Sequence, residues 1–133
     1  MQLIPASALG ERAYLALDVV QYSPRGVSVP GNVIVLRHAG QIYAYRNLCM
    51  HMRQPLDGQV KAIFDADGRW LRCSMHGFLF EPDTGECISP VCAGQSLQRI
   101  KIVEEDGWIE LKEKNMQVLR IHQHANARAA EVL

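Results

Sequence analysis

Two short segments, each holding one cysteine and one histidine, constrain this chain more than any other part of it. The first segment is Cys49-Met50-His51 and the second is Cys73-Ser74-Met75-His76, so the spacings are C-x-H and C-x-x-H. Thiolates and imidazoles suit zinc, copper or iron–sulfur clusters, whereas calcium and magnesium require oxygen ligands. Four such side chains are enough to complete one metal centre.

The division of the four ligands between the two segments separates the candidate metals. Structural zinc sites usually take a pair of cysteines from one segment and a second pair of cysteines or histidines from another. Here each segment is mixed, which favours a [2Fe–2S] cluster with two cysteines on one iron and two histidines on the other. A zinc site and four unrelated core residues are the alternatives that the spacing leaves open.

At these positions the chain resembles the Rieske family, whose motif is C-x-H followed by C-x-x-H. The residues that match the motif are Cys49, His51, Cys73 and His76. The resemblance extends to Gly77, to the turn Thr84-Gly85 and to a proline loop around Ser89-Pro90, and it covers roughly residues 32–111. It implies that the four residues bind one [2Fe–2S] cluster per chain, and neither alternative explains the further matches.

The resemblance also bears on the reduction potential. High-potential members of the family carry a disulfide between the two ligand loops, and a serine and a tyrosine that donate hydrogen bonds to the cluster sulfurs. The corresponding residues here are Gln54 and Met75 for the disulfide, and Phe78 and Phe80 for the hydroxyls. The resemblance therefore implies a potential toward the low end of the range of about −150 to +300 mV that Rieske centres span.

Length and charge narrow the function. A chain of 133 residues suits one domain with a real hydrophobic core. A Rieske oxygenase also needs a catalytic domain with a mononuclear iron, and the residues after Leu111 are too few to build one. This favours an electron-transfer protein over an enzyme, and no catalytic residues are predicted. Because 14 basic residues balance 14 acidic ones, no positive field indicates nucleic acid as a partner.

The compartment is inferred from what the chain does not contain. No window reaches the roughly 18 apolar residues of a membrane helix, and the N-terminus lacks the basic segment of a secretory signal. We therefore expect a cytoplasmic protein without a membrane partner. In that reducing compartment the two cysteines left over, Cys87 and Cys92, are expected to be buried or partly buried thiols rather than a disulfide.

The remaining pattern predicts an all-β fold, a Rieske-type small sandwich or barrel with a cluster-binding part of two loops at about 47–92. Strands are predicted at 13–20, 27–29, 33–37, 42–45, 60–64, 69–72, 97–103 and 108–111, with turns at Pro30-Gly31, Asp65–Gly68 and Asp106-Gly107. Residues 1–111 are assigned to the Rieske domain. Residues 112–133 form a tail in which spaced apolar residues and alanines favour a short helix, and His122 and His124 on it are expected to be solvated.

Three functions are consistent with these features. The first is a ferredoxin-like carrier that takes one electron from a flavin reductase and passes it to an oxygenase or similar terminal oxidoreductase. The second is a small Rieske subunit bound permanently to a larger oxidoreductase. The third is a zinc-stabilised interaction module without redox activity. The sequence does not indicate the oligomeric state, the donor or the acceptor.

Overall fold

Antiparallel strands account for almost all the regular structure of the protein. The computed structural model describes residues 3–48, 55–57, 63–73 and 77–124. Within these ranges the strands are β1 (Leu3–Pro5), β2 (Tyr14–Tyr22), β3 (Ser28–His38), β4 (Gln41–Arg46), β5 (Leu71–Arg72), β6 (Leu79–Phe80), β7 (Ile102–Glu105), β8 (Trp108–Leu111) and β9 (Met116–His124). Short 3-10 turns occur at Ala6–Ala8 and Pro90–Cys92. No helix long and apolar enough to cross a membrane lies within the described ranges.

The strands form three sheets. The largest has the order β4-β3-β2-β9, a second has the order β1-β8-β7, and β5 and β6 form a two-stranded hairpin. Every pairing between these strands is antiparallel, and none of the three sheets closes on itself within the described residues. The all-β prediction is therefore confirmed, in the form of stacked open sheets.

The four-stranded sheet is the middle layer of the molecule because both of its faces are buried over residues 14–17 of β2 and residues 33–36 of β3. Alternate residues of a strand point to opposite faces, and every position in these two runs is apolar or aromatic. One face contributes to a buried cluster that includes Tyr14, Ile34, Leu36, Leu56, Leu71, Cys73 and Phe80. The other face contributes to a second buried cluster that includes Ile4, Leu15, Leu17, Val33, Val35 and Ile109. The hairpin β5–β6 thus packs on one face, and β1 with β8 on the other.

Turn residues located several hairpins correctly. Gly68 has φ +70°, its N–H bonds the carbonyl of Asp65 at 2.9 Å, and the N–H of Asp65 bonds the carbonyl of Trp70 at 2.9 Å. The predicted turn over Asp65–Gly68 is therefore confirmed, as is the turn at Asp106-Gly107 that joins β7 to β8. Residues 60–62 of the predicted strand lie outside the described ranges.

One predicted turn and part of one predicted strand were wrong. A turn was predicted at Pro30-Gly31, but β3 runs straight through it, with Pro30 opposite Val20. Proline is tolerated there because β4 pairs only with the later part of β3, so the missing N–H of Pro30 leaves no ladder bond broken on that side. The predicted strand over 97–103 is a strand only from Ile102 onward. Residues 97–101 run beside the end of β4 through isolated bonds such as Ile100 N–H to the carbonyl of Ala44 at 2.9 Å.

The tail was also mispredicted in its first part. Met116–His124 is strand β9, paired along the whole length of β2, and residues 125–133 lie outside the described part of the chain. A helix there would leave the N–H and carbonyl groups of β2 without partners along one edge, which outweighs the helical preference of a few residues. His122 is not simply solvated, because its Nε2 lies 2.8 Å from Oδ2 of Asp18.

Candidate metal centre

Cys73, the first residue of the second ligand segment, directly follows strand β5. Arg72 pairs with Leu79 in the hairpin β5–β6, so Cys73 lies at the end of the paired region. Its side chain is fully buried and forms no disulfide. The hairpin therefore places one of the four predicted ligands in the core.

Gly77, the residue after His76, is bonded back to Cys73. Its N–H donates to the carbonyl of Cys73 at 2.8 Å, and the N–H of Cys73 donates to the carbonyl of Phe78 at 2.9 Å. Gly77 has φ +71°, a conformation that L side chains rarely adopt, and a Cβ there would lie 3.1 Å from the guanidinium of Arg72. The glycine that follows the second histidine in the motif thus has a physical role, since it allows the chain to turn back beside Cys73.

The first ligand segment lies between two described ends. β4 leads to Asn47, which is buried, and the chain is described again from Pro55 to Asp57. Asn47 Oδ1 accepts the N–H of Leu56 at 2.8 Å, and Asn47 Nδ2 donates to Asp57 Oδ1 at 2.9 Å. One side chain therefore bridges both ends of the segment that contains Cys49 and His51.

A further buried contact extends from the same carboxylate. The hydroxyl of Tyr14 on β2 donates to Asp57 Oδ2 at 2.9 Å. Burial, together with the charge of Asp57, raises the pKa of Tyr14 well above its usual range, so the hydroxyl remains a donor. The hydrogen bonds among Asn47, Asp57 and Tyr14 were not predicted from the sequence. The sequence pattern that could have indicated them is a polar residue, Asn47, two positions before Cys49 and an acid, Asp57, directly after Leu56.

The proline loop lies beside the strand that leaves the second ligand segment. The N–H of Leu79 donates to Oγ of Ser89 at 3.0 Å, and the N–H of Ile88 donates to the carbonyl of Leu79 at 2.9 Å. These bonds fix the start of the Ser89-Pro90 loop against β6. The loop exposes three apolar residues, Ile88, Pro90 and Val91, and 62% of the surface of Val91 is accessible.

Cys87 and Cys92 form a disulfide across this loop, so the expectation that they are free thiols was wrong. The 3-10 turn at Pro90–Cys92 folds the chain back and brings the two Cα atoms to 5.8 Å, well within bridging distance. The expectation considered only the redox compartment and not this local reversal. Both cysteines are buried.

Only one of the four predicted ligands lies within the described ranges. Cys73 is described, whereas Cys49, His51 and His76 lie outside the described ranges, as do Gln54 and Met75. Leu56, which follows the first segment, and Cys73 belong to the same buried cluster. Phe78 is half-buried and Phe80 is buried, and neither side chain has a hydroxyl to donate.

The donor types fit an iron–sulfur centre. The second segment begins with a buried thiol that forms no disulfide, and the motif in the sequence contains a second thiol and two imidazoles. When bound by such a set, a [2Fe–2S] cluster supplies reversible one-electron chemistry. Leu71 and Phe80 belong to the same buried apolar cluster as Cys73.

Stacked antiparallel sheets with a two-loop hairpin subdomain and a Cys/His ligand set define a Rieske-type iron–sulfur protein. The family model of the Rieske [2Fe-2S] domain matches residues 11–105. The chain therefore belongs to the Rieske [2Fe–2S] family, and its cofactor is a [2Fe–2S] cluster.

Solved structures with the same fold include both small and large proteins. The ferredoxin of carbazole 1,9a-dioxygenase from Nocardioides aromaticivorans IC177 has a TM-score of 0.60 at 20% identity, over 86% of this chain and 97% of that chain. A chain of the complex of reduced oxygenase and oxidized ferredoxin in carbazole 1,9a-dioxygenase has a TM-score of 0.58 at 21% identity, over 84% and 90% of the two chains.

A larger protein contains the same fold as one part. The terminal oxygenase of carbazole 1,9a-dioxygenase from Novosphingobium sp. KA1 has a TM-score of 0.60 at 18% identity, over 80% of this chain but only 27% of that chain. At these identities the likeness shows the fold and nothing finer. No curated protein sequence matches the chain.

Proposed function

We propose that this protein is a one-electron carrier of an oxygenase-type system and not itself an enzyme. In this proposal Cys49 and Cys73 bind one iron of the [2Fe–2S] cluster, and His51 and His76 bind the other. The cluster-binding part is assigned to about 47–92, within a Rieske domain assigned to 1–111. A flavin-type reductase is the proposed donor and a terminal oxygenase the proposed acceptor.

The observation that carries the proposal is the family match over 11–105. The coverage of the solved structures adds support, since the likeness extends over 97% of a ferredoxin but 27% of an oxygenase chain. Cys73 adds support of another kind. Cys73 is fully buried and forms no disulfide, which leaves its thiol available as a ligand, and the donor set suits iron–sulfur chemistry.

The proposed potential is low for a Rieske centre. Hydrogen bonds to cluster sulfurs stabilise the reduced, more negative state and so raise the potential. Phenylalanine occupies both hydroxyl positions, at Phe78 and Phe80, and cannot make such bonds. A low potential suits a donor to an oxygenase.

Direct electrochemistry of the cluster-loaded protein at neutral pH tests the proposal. We expect a reversible wave of one electron per chain, with a midpoint between about −150 mV and zero. A midpoint well above zero would contradict the low-potential assignment, and protein that carries zinc and shows no wave would contradict the carrier function.

The exposed apolar part of the proline loop is proposed as a docking surface for these partners. Redox complexes commonly bury less than about 1,200 Å², so a small patch around Ile88 and Val91 suffices. Val91→Glu should slow reduction of the protein by a flavin-dependent ferredoxin reductase in stopped-flow measurements, without shifting the midpoint potential. Leu119→Glu is a matched control, since Leu119 on β9 is 61% exposed and Val91 62%. Equal rates in the two variants would contradict this surface.

A further inference from the structure

Asn47 sits at a point where three separate parts of the chain meet. Its own backbone is fixed first, because its N–H donates to the carbonyl of Asn32 on β3 at 2.8 Å. Its side-chain amide then makes three bonds, to Asn32 Oδ1 at 2.8 Å, to Asp57 Oδ1 at 2.9 Å and from the N–H of Leu56 at 2.8 Å. Only 7% of its surface is accessible.

The donor and acceptor pattern at this point requires an amide opposite a carboxylate. Asn47 must donate twice through Nδ2 and accept once through Oδ1, which a carboxylate cannot do. Asp57 accepts from Asn47 on one oxygen and from the hydroxyl of Tyr14 on the other, so removal of its side chain breaks both bonds. Asp57 is 5% exposed, so solvent does not replace a lost partner.

These bonds join the two ends of one short segment. Asn47 and Leu56 flank residues 48–55, and a single side chain ties the first end to the backbone of the second. The segment contains Cys49 and His51. Closing a loop at its base reduces the number of conformations available to the residues within it.

We propose that Asn47 and Asp57 are positioning residues for the metal centre: together they clamp the base of the loop that carries Cys49 and His51. The proposal rests on the proposed function, since it assumes that these two residues bind the cluster. The clamp holds the loop against β2 through Tyr14 and against β3 through Asn32, so the rigid middle sheet sets where the loop begins and ends.

Release of the cluster to an iron chelator tests the clamp. In the cluster-loaded protein, Asn47→Ala and Asp57→Ala should each speed the loss of visible absorption by roughly tenfold, the size typical for groups that orient metal ligands. The EPR signal of the reduced protein should also broaden, because the loop then holds its two ligands in a wider range of geometries. A residue that only stabilises the fold would not change the EPR linewidth.

Two controls separate positioning from general stability. Asp18→Ala is the same change as Asp57→Ala, but Asp18 contacts Asn32 and His122 and not the loop. Tyr45→Phe removes a buried tyrosine hydroxyl bond, to the carbonyl of Pro82, that does not involve the base of this loop. Both controls should release the cluster at a rate close to that of the wild type at a temperature where all variants are folded.

The outcomes distinguish the two proposals. Wild-type protein that never acquires a [2Fe–2S] cluster would overturn the proposed function and the clamp with it. A loaded wild type, with release rates in all four variants that simply follow their urea unfolding midpoints, would overturn the clamp alone. If Asn47→Ala does not fold, Asp57→Ala, which leaves the bonds of Asn47 to Asn32 and Leu56 in place, decides the question.

Discussion

Cys73 is the one predicted ligand whose surroundings the structure describes. The motif predicts it as a ligand, and the fold buries it completely in a cluster that includes Leu71 and Phe80. Its thiol forms no disulfide. The assignment of Cys73 to the cluster stays a prediction.

Replacing Cys73 by serine tests this assignment. Serine is nearly the same size but is a poor ligand for iron of a cluster, so Cys73→Ser should lose the visible absorption and the EPR signal of the purified protein. Cys92→Ser is the matched control, because Cys92 is equally buried but lies in the disulfide and not in the motif. If Cys73→Ser retains the wild-type spectrum while it remains folded, the assignment is wrong.

A second prediction at the level of single residues concerns the pH dependence of the free energy of unfolding. The guanidinium of Arg37 makes two hydrogen bonds to Glu104, at 3.0 and 2.7 Å, and these lower the pKa of Glu104 below its usual value. A lowered carboxyl pKa adds stability above the unfolded pKa of about 4.5, and this contribution is lost as the pH falls through the folded value. In urea unfolding between pH 6 and pH 3, Glu104→Gln should flatten the fall in stability below about pH 4.5. Glu105→Gln is the control, and an identical pH dependence in the two variants would contradict the prediction.

Turns decide how the elements are joined. Gly85 has φ +78°, its N–H donates to the carbonyl of Glu81 at 2.7 Å, and it accepts the N–H of Leu97 at 2.8 Å. A Cβ at this position would lie 2.8 Å from the ring of Tyr45. That ring is fully buried and donates its hydroxyl to the carbonyl of Pro82 at 2.7 Å, so it has little freedom to move.

Alanine at two glycines separates backbone strain from steric contact. Gly85→Ala should lower the free energy of unfolding by about 3 kcal/mol, the sum of strain at positive φ and an added contact in a packed core. Gly107→Ala has the same kind of strain, at φ +83°, but no atom within 4 Å of the added Cβ, and should cost about 1 kcal/mol. Chemical denaturation of both variants checks this, and equal losses would show that the contact with Tyr45 is unimportant.

The disulfide fixes another element, the proline loop. It links residues five apart in sequence, and closing so short a loop stabilises the folded state by about 2 kcal/mol in the chain-entropy model. Cys87→Ser should therefore lower the free energy of unfolding by about that amount, measured without a reducing agent. With a reducing agent the wild type should approach the variant. A variant as stable as the oxidised wild type would contradict the presence of the bond.

The elements differ in how far the sequence could predict them. Hairpins marked by Asp-Gly or by Gly-containing turns were found correctly because the turn is a local property of the chain. Strand β9 was not found, since Met116–His124 also has the spacing of a helix and only the free edge of β2 decides between the two. The ligand motif is also a local pattern of the sequence, and its four ligands stay a prediction. The bridge from Asn47 to Asp57 was not found, because it depends on β3 and β2 lying beneath the loop.

At the scale of the whole molecule, the four-stranded sheet is a middle layer with a buried cluster on each face. The apolar runs at residues 14–17 and 33–36 supply both clusters, because alternate residues of a strand point to opposite faces. The hairpin β5–β6 with Cys73 packs on one face, and β1 and β8 pack on the other. We therefore expect the predicted cluster-binding part to depend on this sheet for its stability.

Pulsed EPR of the reduced protein, prepared with and without ¹⁵N-histidine, tests the central claim most directly. We expect hyperfine coupling from two directly bound histidine nitrogens, and this coupling should change on labelling. Replacement of His51 or His76 by alanine should cause loss of the cluster. A cluster spectrum with no strongly coupled nitrogen, or a protein that binds zinc and gives no signal after supply of iron and sulfide, would contradict it.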